Sequence, residues 1–298
     1  MLALGKHVSE HETAIGGLIG ISICRTMAVE QLETFVQQPD APNLYWALTE
    51  LPSRMIDLRK AMDIKAQIVE LTFPDLKDVE TARLTSAEWR SRFLHVARTL
   101  AQFQQWNADS PKEAELDGLI ARYTPLAKVG LRERGWTDDK LAKLDPVQLI
   151  LLEFVRRNDE LGQEVLRTFH LSYPEYARTQ AALEVASSTV DRQLKSASEP
   201  FQLPQLLGAA QPELRRATVR LDRQIAALRV IEALRLHAAA NGGALPKSLD
   251  DVTLVPIPAD PVSGKPFDYT LEKDTATLTG PELRNTPFKY ELTMRKAK

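Results

Sequence analysis

The chain has 298 residues, with 38 Lys+Arg against 40 Asp+Glu for a formal charge of −2, and it is 44% apolar and 26% charged. This balance excludes nucleic acid as the default partner, because phosphate recognition draws most of its strength from a basic excess and counterion release, and it excludes a polybasic membrane-binding surface. The apolar and charged fractions are those of a globular chain long enough for one large core or two.

The N-terminal stretch opens already in helical periodicity, with Leu4, Val8, His11, Ile15 and Leu18 on one stripe. No Ser, Thr, Asp or Asn precedes it as a cap, as expected of a chain cut from within a longer helical parent. The stretch contains His7-Val-Ser-Glu10-His11, an H-x-x-E-H pattern. On a helix, positions i, i+3 and i+4 share a face. His7 and His11 are therefore candidate zinc ligands, Glu10 the candidate general base and Glu88 the candidate third ligand, the set an inverted zinc peptidase uses. Against it, His11 lies on the apolar stripe and suits packing, and the helical pattern does not match the layered α/β fold of those peptidases.

Next comes an apolar run, residues 14–24, eleven residues long. A bilayer-crossing helix needs roughly 17–25, and acidic residues precede the run where a signal peptide needs basic ones. The expectation is a buried helix segment and no membrane span in this chain. Cys24 is the only cysteine, so no intramolecular disulfide forms and Cys24 reads as a buried structural thiol. The first long helix spans about Glu12 to Gln38, and Gly16, Gly20, Cys24 and Ala28 at four-residue spacing invite close approach of another helix.

A short helix over Asn43–Leu51 follows, then one capped by Ser53 that runs to Leu71 and closes at Pro74. Two capping boxes, Thr85-Ser-Ala-Glu88 and Ser110-Pro-Lys-Glu113, open helices to about Trp106 and Gly135. Pro125 is expected to kink or split the second. Asp145-Pro146 opens a helix through Phe169, another runs from Pro174 to Ser196, and a Pro-bearing connection over 199–208 leads to the last long helix, Pro212–Ala240. Asn241-Gly242-Gly243 ends that helix. Trp46, Trp89, Trp106 and Trp136 read as core anchors; His95, His170 and His237 stand singly on helices.

After residue 241 the period changes from 3.6 to 2. Phe267, Tyr269 and Leu271, then Ala276 and Leu278, then Phe288, Tyr290, Leu292 and Met294 alternate with polar residues, which predicts three short strands with a tight turn at Lys273-Asp274. A sheet this small needs a partner for its apolar face, and the helix just upstream supplies one. The expected fold class is mainly α, a multi-helix array over 1–210 followed by a small α+β domain over 211–298 with a long helix and a three-stranded antiparallel sheet. Asp260-Pro261, Gly264 and Pro266 read as a structural turn. Ser263-Gly264-Lys265 is not a phosphate loop, since Ala259 stands where the first glycine belongs and Pro266 follows the lysine.

Arg229-Val-Ile-Glu-Ala-Leu-Arg-Leu-His-Ala-Ala-Ala-Asn-Gly-Gly-Ala-Leu-Pro246, the Asp260–Tyr269 turn and the strand after it resemble the globular part of type II secretion pseudopilins. That resemblance implies a long helix running into an Asp-Pro turn and a small antiparallel sheet. Pseudopilins begin with an apolar membrane helix, whereas here some 210 helical residues stand in that place, so assembly into a pilus is not implied. Over its whole length, including Pro42-Asn-Leu-Tyr-Trp-Ala-Leu-Thr-Glu-Leu-Pro52 and Ile56-Asp-Leu-Arg59, the chain resembles a group of uncharacterised planctomycete-type bacterial exported helical proteins. The group implies an upstream export signal and carries no activity over to any residue. With no complete catalytic constellation, the expected function is a non-enzymatic binding or scaffold protein of the bacterial cell envelope, contacting protein or peptide through helix grooves and using no cofactor. The alternative is a zinc-dependent hydrolase. The expected location is the periplasm or envelope if the parent carries an upstream signal, and the cytoplasm if this chain is complete; oligomeric state is left open.

Overall fold

The structure, a computed structural model, describes residues 1–11, 13–38, 40–66, 68–104, 113–180 and 211–294. It is mainly helical, with a three-stranded antiparallel sheet at the C-terminal end. The described residues fall into two compact units: Met1–Met62 with 168–180 and 211–294, and Asp63–Arg167. The N-terminal helices thus share a unit with the C-terminal helix and sheet, in place of a single boundary near residue 210. Long-range polar links account for this. Leu44 N–H donates to Glu232 Oε2 at 2.8 Å across 188 positions, Asn43 Nδ2 donates to the Glu232 carbonyl at 2.8 Å, and Arg235 Nη2 donates to the Ala41 carbonyl at 2.7 Å.

In the first unit, α1 (Leu2–Ser9) and α2 (Ala14–Ser22) form an antiparallel hairpin, and α2 continues through a π-helical stretch, Ile23–Val29, into α3 (Glu30–Val36). The unbroken stripe expected across His11 is interrupted. Thr13 caps α2, its Oγ1 accepting the Gly16 N–H at 3.0 Å, and a cap on α2 requires α1 to stop before it. After α4 (Tyr45–Thr49) the chain is irregular to residue 58. Ser53 does not cap the next helix. Asp57 does, its Oδ1 accepting the Arg59 N–H at 3.0 Å at the start of α5 (Arg59–Ala66). Tertiary contacts override local propensity here: Met55, Ile56 and Leu58 are buried, and Met55 N–H donates to Asp222 Oδ1.

The second unit holds α6 (Ile68–Thr72), α7 (Ser86–Gln104), α8 (Leu116–Glu133), α9 (Asp138–Leu141) and most of α10 (Pro146–His170). Phe73, Trp89, Phe93, Leu131 and Leu151 form its core. The capping box at α7 is present, Thr85 N–H donating to Glu88 Oε2 at 2.7 Å and Glu88 N–H to Thr85 Oγ1 at 3.4 Å. Asp145 caps α10 through the Val147 N–H. Pro125 does not split the helix: α8 runs through it as one element. Its packed face, with Tyr123, Ala127 and Leu131 buried, outweighs the one intrahelical bond that proline cannot make. Arg134 links α8 to α10 by donating to Glu153 Oε2 at 2.9 Å and to the Gly130 carbonyl at 2.8 Å.

Of the tryptophans, Trp89 is fully buried and Trp136 packs at the core edge, but Trp46 is 63% exposed, its ring edge-on to Tyr45. Tyr45 takes the core position instead, its hydroxyl donating to the Pro256 carbonyl. Trp106, the Ser110–Glu113 capping box, the helix beyond residue 180 and the 199–208 connection lie outside the described residues. A helix over 173–180, α11, starts at a further capping box in which Ser172 N–H donates to Glu175 Oε2 at 2.9 Å.

The last helix, α12 (Gln211–Ala240), ends at Gly242 and Gly243, with φ of 62° and 88° and the Gly243 N–H donated to the Ala238 carbonyl. Strands β1 (Asp268–Glu272), β2 (Thr275–Leu283) and β3 (Thr286–Thr293) are ordered β1-β2-β3, with Leu278 opposite both Tyr269 and Tyr290. Both hairpin turns are tight: Lys273 carries φ of 55° in the first, and Arg284 and Asn285 carry 48° and 58° in the second. The expected helix-on-sheet packing is present, Ala226, Val230 and Leu234 of α12 meeting Leu278, Phe267 and Val255.

Candidate functional site

Of the residues in the zinc pattern, the structure brings His7 and Glu10 together, with His7 Nδ1 3.4 Å from Glu10 Oε2 and side chains 82% and 60% exposed. His11 lies beyond the end of α1, so it does not share a helical face with His7; its Nδ1 sits 3.3 Å from Thr13 Oγ1. Glu88 belongs to the second unit and closes the start of its own helix. The Thr85 N–H and hydroxyl hold its carboxyl below the usual range. Among the described residues no three His, Cys, Asp or Glu side chains gather in a way that would hold a metal ion.

The hairpin that carries the pattern has two faces of different character. Its inner face is built from small residues. A Cβ added at Gly5 would lie 2.4 Å from Cys24 Sγ, one at Gly20 2.5 Å from the Gly5 carbonyl oxygen, and one at Gly17 2.2 Å from Leu58 Cδ2. The four-residue small stripe therefore receives α1 as its partner helix. Cys24 is fully buried there, and burial pushes its thiol pKa up. The outer face is apolar and open: Ile15 is 70% exposed, and Leu4, Leu18 and Ile19 are exposed beside it. A groove of about 740 Å³ adjoins the hairpin, lined by Met1, Leu2, Met27, Leu32 and Phe35 among others.

The eleven-residue apolar run is part of a longer helix. That helix extends over Ala14–Val36, 23 residues with a mean hydropathy of 1.2 in its most apolar window, enough to cross a membrane by length and composition alone, a test that the core helix of a soluble protein also passes. Met27, Val29, Leu32, Phe35 and Val36 continue the apolar content beyond Arg25. That window is 39% buried within the protein, through the glycine face and contacts with α12.

The second concentration of chemistry is on α12, and the sequence reading did not single it out. Arg223 and Asp260 form an ion pair at 3.0 Å with side chains 2% and 0% exposed. Arg223 Nη1 donates to the Pro281 carbonyl, and its guanidinium lies 3.8 Å above the Phe288 ring. Asp260 Oδ1 accepts the Val262 N–H at 2.9 Å, and its carbonyl accepts the Gly264 N–H at 2.8 Å, with Gly264 at φ of 69°. The Asp-Pro segment is thus the structural turn expected, anchored to α12 by a buried charge. Glu232, wholly buried, accepts from Leu44 N–H and Arg235. Arg54 and Arg215 both donate to the Leu171 carbonyl after the end of α10, and Arg215 stacks on Tyr176.

Most of these charges are engaged in holding the unit together. Asp222 and Arg229 are engaged least. Asp222 accepts one hydrogen bond, from Met55, and burial pushes its pKa up to about 6 despite that bond and the nearby Arg54 and Arg215. Arg229 has its Nε buried without a partner. A signal for them stood in the sequence: Arg215, Asp222 and Arg229 recur every seven residues along α12, on one stripe. No protein-family model matches the chain, and comparison with curated proteins and with solved structures gives no significant match.

Proposed function

We propose that the protein is a non-enzymatic binding or scaffold protein of the bacterial cell envelope, and that its N-terminal hairpin is the surface through which it contacts an envelope protein or peptide. One observation carries this reading: Leu4 on α1 and Ile15, Leu18 and Ile19 on α2 are large apolar side chains left exposed on one hairpin, which also contributes to a groove with apolar walls. Exposed apolar surface gathered on one element in this way is costly in water and marks a contact site. The helix beneath it is long and apolar enough for a membrane setting, and its glycine face fixes the hairpin so that the outer side chains cannot fold inward. The buried charges of α12 support a scaffold role, because the ion pairs and backbone bonds they make are spent on rigidity.

The test is the location of the protein expressed from its native gene with the natural start intact. The reading expects it in the periplasmic or membrane fraction. Recovery in the cytoplasmic fraction alone contradicts it.

A further inference from the structure

A second, smaller cleft lies in the first unit between α12, the chain after α4 and the turn before Asp260. Its volume is about 200 Å³, and its lining includes Ser53, Asp222, Arg229, Leu48, Ile225 and Pro261. We propose that this cleft binds a free short zwitterion of dipeptide size, with the ligand carboxylate on the Arg229 guanidinium and its ammonium on the Asp222 carboxylate.

Arg229 makes no hydrogen bond and no ion pair among the described residues; its guanidinium carbon lies 5.8 Å from the Tyr45 ring, and its Nε is buried and unsatisfied. A guanidinium without a carboxylate or carbonyl partner offers its planar fork of donors to an incoming carboxylate. Asp222 Oδ1 takes the Met55 N–H at 3.0 Å, while Oδ2 has no hydrogen-bond donor among the described residues. Both side chains are partly buried, and the fully buried charges of this helix, Arg215, Arg223 and Glu232, are each bonded to a carbonyl, a carboxylate or a backbone N–H, so Asp222 and Arg229 stand apart as groups whose partners would come from outside.

Spacing then sets the ligand. Asp222 and Arg229 are seven residues apart on one helix, about 10 Å along its axis. A free α-amino acid carries both charges on one carbon and spans too little. A dipeptide separates them by a peptide unit and fits. The volume agrees, since 200 Å³ is the room of about seven water molecules, below the usual range for drug-sized ligands. The aliphatic walls favour small apolar side chains, and the Ser53 hydroxyl offers a bond to the central peptide group. This site does not depend on where in the cell the protein resides.

Calorimetric titration of the full chain tests it with four probes: L-alanyl-L-alanine, its N-acetyl form, its C-terminal amide, and free L-alanine. Saturable binding of the unmodified dipeptide is expected, with the two blocked forms and free alanine each weaker by about tenfold or more. Arg229→Gln and Asp222→Asn are each expected to weaken the dipeptide by about tenfold or more, and Arg229→Lys to keep part of the affinity. The blocked probes need no variant, so the comparison stands even if a substitution impairs folding. No saturable binding by about 10 mM, equal binding of blocked and free dipeptides, alanine binding as tightly as the dipeptide, or wild-type affinity in either charge variant overturns the proposal.

Discussion

Arg223 on α12 lies 3.0 Å from Asp260 in the turn before the sheet, both side chains shut away from solvent. Gly280 on β2 makes room for the pair, because a Cβ there would come within 2.2 Å of Arg223 Nη2 and 2.7 Å of Asp260 Oδ2. Helix, turn and strand are thereby locked at one point. Removing one partner of a buried pair leaves an uncompensated charge and costs about 3–5 kcal/mol. Asp260→Ala is expected to lower hydrogen-exchange protection of the β2 amides by about a hundredfold or more, and Gly280→Ala to act in the same direction. Unchanged protection in both would show that the pair is not what holds the sheet on the helix.

The hairpin can be read through its thiol. Cys24 is sealed by the contact of Gly5 with Gly20, and its thiolate is disfavoured by burial. The wild type is expected to react slowly with an aromatic disulfide reagent at pH 8. Gly20→Val forces the helices apart, and its reaction is expected to be faster by about tenfold or more. Equal rates would mean that close glycine packing does not protect the thiol.

Asp222 gives a pH signature with a definite sign. Its pKa rises from 3.8 to about 6 in the folded chain, so the native state binds this proton more tightly than the unfolded state does. Its contribution to stability is most favourable below about pH 4, declines between about pH 4 and 6, and stays at its least favourable above that. Asp222→Asn keeps an acceptor for the Met55 N–H and removes the charge. It is expected to be more stable than wild type above pH 7 by about 3 kcal/mol, with the advantage vanishing near pH 4. Denaturant unfolding at the two pH values measures this. A destabilised Asn variant at pH 7.5 would contradict it.

Metal removal is expected to change nothing. His7 and Glu10 are exposed, His11 is off the helix, and Glu88 is occupied in a cap. Treatment with chelator should leave the unfolding temperature within about 1 °C, and His7→Ala within about 0.5 kcal/mol of wild type. Stoichiometric zinc in protein purified without chelator, lost in His11→Ala, would instead support the hydrolase.

What was legible in the sequence was local. Thr85 and Glu88 are three residues apart, Asp145 and Val147 two, and the strand alternation is carried within each strand, so short-range patterns suffice to place them. The misses came from distance. Asp57 displaces Ser53 as a cap because Met55 N–H is claimed by Asp222, 167 positions away, and the Ala41–Leu44 segment joins the C-terminal helix through Glu232, which no window around residue 43 contains. The break in the H-x-x-E-H helix was readable in part, since Thr13 stands three residues before Gly16 as a cap should. The pairing of α1 with the glycine stripe was visible as an invitation, but its partner was not. For the cleft, the heptad spacing of Arg215, Asp222 and Arg229 was present, yet only the fold shows that Arg215 is bonded to the Leu171 carbonyl, that Asp222 takes a single backbone N–H and that Arg229 has neither hydrogen bond nor ion pair among the described residues.

The most direct measurement is side-by-side fractionation of cells carrying the native gene or its Ile15→Asp/Ile19→Asp form, with folding of the variant checked by circular dichroism. If the outward apolar face of the hairpin is the envelope contact, the wild type remains with the envelope fraction and the folded variant is released from it. An identical distribution of the two proteins would contradict the account.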